Sequence, residues 1–148
     1  VSFGIVGFAN KIKDFCELTH DSRIIFNAVD ELIISDVTGI GNRAQPMDHM
    51  FDLLAEKKRE ENLDFAYAVV LTDGYWESDA SSQALKAKSR YISENIEIIV
   101  QGFGSAKEDF IKKLATLQEF SGVGDISQVG ESLNNIAEVL TTQDFSLT

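Results

Sequence analysis

Residues 65–74 read F-A-Y-A-V-V-L-T-D-G, and this stretch decides the fold. A short apolar run that stops at a turn signal is typical of a strand covered on both faces in a parallel sheet. The run ends at Asp73 and Gly74. Open α/β sheets bind their ligands beyond the carboxyl ends of the strands, so we expect the Asp73 carboxylate to lie at a binding edge.

Helix and strand patterns alternate on both sides of this strand. Downstream, the apolar spacing predicts a helix, a buried strand, a helix, a weak strand and a last helix, at residues 78–95, 96–100, 110–114, 123–126 and 133–140. Upstream, it predicts a hairpin with arms at residues 1–8 and 15–18, a helix from Asp21 or Ser22, and a helix from Pro46. This alternation predicts an α/β, Rossmann-like layered fold with a mostly parallel central sheet, one antiparallel edge hairpin and helices on both faces.

Length and composition narrow the class of protein. The chain of 148 residues fits a single domain, which we place at residues 1–140, followed by a tail at residues 141–148. The net charge of −11 would repel phosphate groups, so a nucleic acid is not expected as a partner.

No apolar run approaches the roughly 20 residues of a membrane span. The lone Cys16 has no internal disulfide partner and no leader pattern opens the chain, so a reducing, cytoplasmic location is expected.

The order of motifs is similar to that of a known family. V-V-L-T-D-G, then a polar loop and helix, then I-E-I-I-V-Q-G-F-G and the helix D-F-I-K-K-L-A, resemble the second half of a von Willebrand factor A domain. In the first half, G-I-V-G-F-A with its hairpin, L-T-H-D-S-R before a helix, and a glycine loop before P-M-D-H-M-F-D-L-L follow the same order. The resemblance implies a protein-interaction module rather than an enzyme. Its protein partner would bind the loops at the top of the sheet.

The resemblance also implies a place for a metal ion. In that family a divalent cation, usually Mg²⁺, is held by an Asp-x-Ser-x-Ser motif after the first central strand, by a threonine before a later helix, and by the aspartate of the T-D-G region; hard cations prefer such oxygen ligands. Asp73 matches the last of these, and the threonine position falls on Gln45, or on Thr38 if the loop is longer. The Asp-x-Ser-x-Ser motif is not found at a matching place. We therefore expect an incomplete site that takes Mg²⁺ only if it is completed, and weak or absent cation dependence.

Two alignments with the family are possible at the start of the chain. In the preferred one, Val1 begins the second strand, so the motif strand lies upstream of Val1, and the two strand edges that it leaves must be filled by another segment or another chain. In the other, residues 1–8 are the first strand and Gly7, Ala9 and Lys11 take the motif positions. Lys11 would then put a positive charge at the metal position.

The partner surface is expected where the loops at residues 38–45, 73–79 and 102–106 converge. Its rim is predicted to consist of Gly41, Asn42, Gly74, Tyr75, Trp76 and Glu77. Two of the loop residues have a second interpretation. Trp76 could instead fold back over the sheet edge, and Asp73 could serve as a turn residue at the end of its strand.

Two other functions compete with the interaction module. Gly39-x-Gly41-x-x-Ala44 formally matches a dinucleotide-binding fingerprint, so the alternative is a nucleotide-binding enzyme. Its context argues against this, because the preceding run continues from a helical pattern and no acid follows a second strand at the usual spacing. The third option is a structural subunit or domain of a larger assembly, whose acidic surface docks on a basic partner.

Overall fold

The computed structural model of the chain describes residues 2–34, 43–73, 75–104, 106–125, 127–128, 130–131, 134–136 and 138. The strands are β1 (Phe3–Phe8), β2 (Ile12–Thr19), β3 (Ala66–Thr72), β4 (Ile96–Phe103) and β5 (Gly122–Gly124). The helices are α1 (Ser22–Ile34), α2 (Pro46–Glu60), α3 (Ser78–Ser93) and α4 (Glu108–Leu114), with a short 3₁₀ turn at Gln118–Phe120. This order confirms the predicted α/β class. Leu133, Ala137 and Leu140 of the predicted last helix, and the tail at 141–148, lie outside the described residues.

Within these residues the strands form two hydrogen-bonded sheets. β1 and β2 form an antiparallel hairpin, whereas β3, β4 and β5 form a parallel sheet in that order. The parallel register aligns Ala66 with Ile96 and Thr72 with Gly102. We expected a single central sheet with the hairpin at its edge, and the structure pairs no strand of the hairpin with β3.

Helices α2 and α3 cover one face of the parallel sheet. Ala68 and Val70 of β3 belong to the same buried cluster as Met47 of α2 and Tyr91 of α3. The Tyr91 hydroxyl donates a hydrogen bond of 2.6 Å to the Met47 carbonyl, which satisfies a polar group at the centre of the helix pair. Burial of this phenol raises its pKa above the ordinary value.

Helix α4 packs closely on the end of β4, and the absence of a side chain at Gly102 permits it. A Cβ built there would lie 2.1 Å from the Ile111 Cδ1 atom and 3.0 Å from the Ala106 Cβ atom. The contact sets the position of the loop between β4 and α4 at the carboxyl edge of the sheet. In the described part of the chain, no helix combines the length and the apolar character that a membrane crossing requires.

Candidate functional site

The carboxyl ends of β1 and β3 and the start of α4 meet at one edge of the molecule, which we call the loop edge. Its described residues of interest are Arg43, Gln45, Asp73, Tyr75, Trp76 and Glu77. Thr38, Gly41, Asn42 and Gly74, which the sequence assigned to the metal site or the rim, lie outside the described residues. The same holds for Gly39 of the competing nucleotide fingerprint.

Asp73 follows β3 directly and is exposed, as predicted for a residue at the carboxyl end of this strand. Its Oδ1 atom accepts a hydrogen bond of 3.1 Å from the backbone N–H of Tyr75. An aspartate that binds the backbone two residues further on stabilises a turn. Asp73 therefore has the turn function that the sequence left open, at the position where the family resemblance places a metal ligand.

Trp76 is the organising side chain of the loop edge. Its indole N–H donates a hydrogen bond of 2.8 Å to the hydroxyl of the buried Thr72. The ring meets Phe8 edge-on at a centroid distance of 5.3 Å and Phe110 at 5.2 Å. Of the two positions open from sequence, Trp76 adopts the one folded back over the sheet, and it joins the end of β1, the end of β3 and α4 into one support.

An ion pair connects the loop before α2 with the loop after β3. The Arg43 Nε atom lies 3.2 Å and 3.3 Å from the two carboxylate oxygens of Glu77. Close by in sequence, the backbone N–H of Ala44 donates a hydrogen bond of 2.8 Å to the Ala9 carbonyl, which attaches this loop to the hairpin turn. Exposed ion pairs contribute little stability, about 0–1 kcal/mol. The Arg43–Glu77 pair is informative because it shows that two of the three predicted loops, at residues 38–45 and 73–79, converge.

The surface charge at the loop edge is mostly acidic. Asp79 lies in the first turn of α3, and Glu108 and Asp109 lie in the first turn of α4. Helices that follow parallel strands begin at the carboxyl edge of the sheet, so these carboxylates lie on the same side as Asp73 and Glu77. Carboxylates near a helix N-terminus are also favoured by the helix dipole. Sequence reasoning missed Arg43, although it is the one basic residue between residues 38 and 45.

The described donors do not by themselves make a divalent-cation site. Asp73 supplies one carboxylate, and exposed Gln45, which precedes α2, makes no side-chain cap on that helix. No three His, Cys, Asp or Glu side chains among the described residues come together as a metal-binding group. Mg²⁺ demands near-octahedral oxygen coordination, which one carboxylate does not provide. The chemistry of this edge in the described chain is therefore that of hydrogen bonds, exposed carboxylates and an aromatic ring.

The chain is similar to known proteins both in sequence pattern and in fold. The model of the von Willebrand factor type A domain family matches residues 1–139. A crystal structure of the manganese-loaded TRAP protein of Plasmodium vivax matches with a TM-score of 0.61 at 18% identity, over 89% of this chain and 55% of that chain. An uncharacterized membrane spanning protein from Vibrio fischeri matches with a TM-score of 0.38 at 18% identity, over 96% of this chain and 76% of that chain. This chain thus spans about half the length of the TRAP structure. No curated protein sequence matches.

Proposed function

The chain belongs to the von Willebrand factor type A domain family, and we propose that it is a protein-interaction module that binds its partner through the loop edge. Domains of this family are typically interaction or adhesion modules and generally not enzymes. Neither the family match nor the structural matches support the nucleotide-binding alternative.

The proposal rests on the contrast between Trp76, which is packed against the fold, and the adjacent Tyr75, which is exposed. Trp76 is held by Thr72, Phe8 and Phe110, while Tyr75 remains 43% exposed. An exposed aromatic ring on a well-packed support loses little conformational freedom on binding, which is the property of interface hot-spot residues. Tyr75 is therefore the proposed centre of the contact, with Glu77 beside it at the rim.

The charge of the loop edge supports a partner with basic side chains. Asp73, Glu77 and Asp79 are exposed carboxylates, and Arg43 pairs with only one of them. Complementary charge across an interface speeds association and selects among partners. Because Asp73 already accepts the Tyr75 N–H and lacks described co-ligands, we propose that binding has weak or absent dependence on divalent cations.

A position-specific cross-linking experiment tests the partner surface. A photoreactive phenylalanine analogue replaces Tyr75 in the full-length protein in its own cells, with replacement of Ile92 as the control because Ile92 is 57% exposed on the last turn of α3, away from the loop edge. The proposal requires a protein cross-linked from position 75 and not from position 92. Equal cross-linking from both positions would contradict it.

The affinity of the cross-linked protein then tests charge and cation dependence. Glu77→Arg should weaken binding about tenfold or more, whereas Glu60→Arg, on the last turn of α2, should change it less than about twofold. Asp73→Ala should weaken binding only modestly, and by the same factor with EDTA as with Mg²⁺, because this carboxylate holds the turn before Tyr75 rather than a cation. A large loss with Asp73→Ala that depends on Mg²⁺ would show a working metal site instead.

A thermal melt of the 148-residue chain tests the metal separately. A ligand that binds only the folded state raises the melting temperature. With excess EDTA and then millimolar Mg²⁺ or Mn²⁺, we expect a shift below about 1 °C and no bound metal. A rise of several degrees with stoichiometric metal would restore cation-dependent binding.

A further inference from the structure

An internal ion pair holds the carboxylate that we assign to the rim of the partner contact. Glu77 follows Tyr75 by two residues, and its two carboxylate oxygens accept from the Arg43 Nε atom at 3.2 Å and 3.3 Å. A basic side chain of a partner that binds Glu77 therefore meets a carboxylate that Arg43 already occupies.

The backbone is fixed on each side of this pair. Next to Arg43, the buried Ala44 donates its N–H to the Ala9 carbonyl at 2.8 Å. On the other side, Glu77 is the N-cap residue of α3, and its carbonyl accepts the Ser81 N–H at 2.9 Å. Because neither backbone has to be ordered for the two side chains to meet, the pair costs mainly side-chain entropy.

The contact between the two side chains is nevertheless a weak one. A single N–H of the guanidinium is shared between both carboxylate oxygens, whereas the strong arginine–carboxylate arrangement uses two parallel N–H bonds. The Arg43 and Glu77 side chains are 74% and 52% exposed, so water competes for both. An incoming basic group can thus reach Glu77 at the surface and replace Arg43 there.

The geometry of the pair also indicates which basic group replaces Arg43 best. A guanidinium that approaches from a partner can present two N–H groups to the two oxygens of Glu77, while an ammonium group acts as a point charge. The exposed ring of Tyr75 lies two positions before Glu77, and guanidinium groups bind aromatic faces more often than ammonium groups do. Arginine therefore has two favourable interactions at this rim, where lysine has mainly its charge.

We propose that Arg43 is an internal competitor for Glu77, and that an arginine side chain of the partner displaces it on binding. The inference rests on the proposed function, since it requires that the partner contacts Glu77. Until it is displaced, Arg43 lowers the affinity by a factor that reflects the strength of the Arg43–Glu77 pair, up to about fivefold for an exposed pair. A basic group that binds Glu77 no better than Arg43 does gains nothing, so the pair selects against poorly matched basic surfaces.

The affinity of the purified protein for a hexa-arginine peptide tests the competition without the natural partner. Arg43→Gln is compared with Lys107→Gln, because Lys107 is an exposed base that precedes α4 at the same edge and forms no ion pair with a described residue. Both variants remove one positive charge, but only Arg43→Gln releases Glu77. At low salt, Arg43→Gln should strengthen peptide binding about two- to fivefold more than Lys107→Gln does.

The same two substitutions in a Glu77→Gln background provide the second control. There, Arg43→Gln and Lys107→Gln should change peptide affinity equally, because no carboxylate remains to be released. Equal effects of the two substitutions in the presence of Glu77 would overturn the proposal, and so would a difference that persists without it. Weaker peptide binding with Arg43→Gln would overturn it too, since Arg43 would then position Glu77 for the partner rather than compete for it.

The NMR signal of the Arg43 side-chain Nε–H group reports displacement directly, and its position in Glu77→Gln defines the open state. Methylguanidinium should move the signal toward that position at lower concentrations than methylammonium does at equal ionic strength. An unmoved signal would overturn the exchange, and equal effects of the two cations would overturn the assignment to arginine. These results are distinct from the cross-linking at position 75, because a missing cross-link contradicts the proposed function, whereas an unmoved Arg43 signal contradicts the competition.

Discussion

Strand β4 and helix α1 both carry pairs of adjacent isoleucines, yet their surroundings differ. In β4, Ile98 and Ile99 are 0% exposed, whereas in α1 Ile24 is 49% exposed. β4 has a strand on each side and helices α3 and α4 against it, while α1 packs mainly on a two-stranded hairpin. The comparison teaches that apolar sequence predicts a tendency to be buried, and that the number of neighbouring elements decides whether burial is achieved.

The largest expected effect contrasts these two elements directly. Ile98→Ala should destabilise the chain by about 4 kcal/mol, because it removes fully buried methyl groups and leaves a cavity. Ile24→Ala in α1 should cost less than about 1 kcal/mol, because half of that side chain is already in water. Urea unfolding midpoints at constant slope measure both values. Similar losses at the two positions would show that α1 is packed as tightly as β4.

The next effect concerns Trp76, which links the β1–β2 hairpin to the parallel sheet and α4. Trp76→Ala should destabilise the chain by about 2 kcal/mol, because it removes the ring contacts with Phe8 and Phe110. Trp76→Phe, which keeps an aromatic ring but loses the indole N–H, should cost about 1 kcal/mol. Amide exchange after Trp76→Ala should rise more in β1 and β2 than in β4. An equal rise in all strands would mean that Trp76 supports the whole fold rather than joining its two parts.

The smallest effect is a pH dependence of the free energy of unfolding, and it arises from Tyr91 in the buried cluster. Burial raises the pKa of Tyr91 above the 10.0 of a free tyrosine. The unfolded chain then loses this proton first, so stability is complete below about pH 10 and falls as the pH rises beyond it. Tyr91→Phe should cost about 1 kcal/mol at neutral pH, through the lost hydrogen bond to Met47, and remove this part of the alkaline decline.

Tyr75→Phe is the matched control for Tyr91→Phe. Tyr75 is exposed at the loop edge, so its substitution should leave the alkaline decline in place. Unfolding free energies measured from pH 8 to pH 11 distinguish the two variants. A decline that persists in Tyr91→Phe would assign it to another group.

Sequence patterns located most elements of this fold but not all of their ends. The return arm of the hairpin was predicted at residues 15–18, whereas β2 begins at Ile12. Residues 12–14 are mixed in polarity and join the strand because Phe8, Gly7 and Val6 pair with them. Likewise, β4 continues to Phe103 because β5 pairs with its last three residues. Strand ends depend on a partner that no local window of sequence contains.

The candidate site also has features that local sequence predicts and features that only the fold brings together. The place of Asp73 at the end of β3 followed from the apolar run at residues 65–71 and the T-D-G turn signal. The expected cover on both faces of this strand did not, because Leu71 is 41% exposed. The position of Trp76 did not, because Phe8 and Phe110 are distant along the chain and only the fold brings them to the ring. The Arg43–Glu77 pair was equally hidden, since a single exposed arginine in a loop carries no local signal for its partner.

By itself, the sequence determined the kinds of elements, their order and the family resemblance, because periodicity, caps and turn residues act over a few neighbouring positions. Only the tertiary structure decided that, among the described residues, the hairpin strands pair apart from β3, β4 and β5, and that the Trp76 ring packs against Phe8 and Phe110. These features arise from pairings between residues far apart in the chain. Their free energy depends on which surfaces meet, and that is set by the whole fold rather than by any one segment.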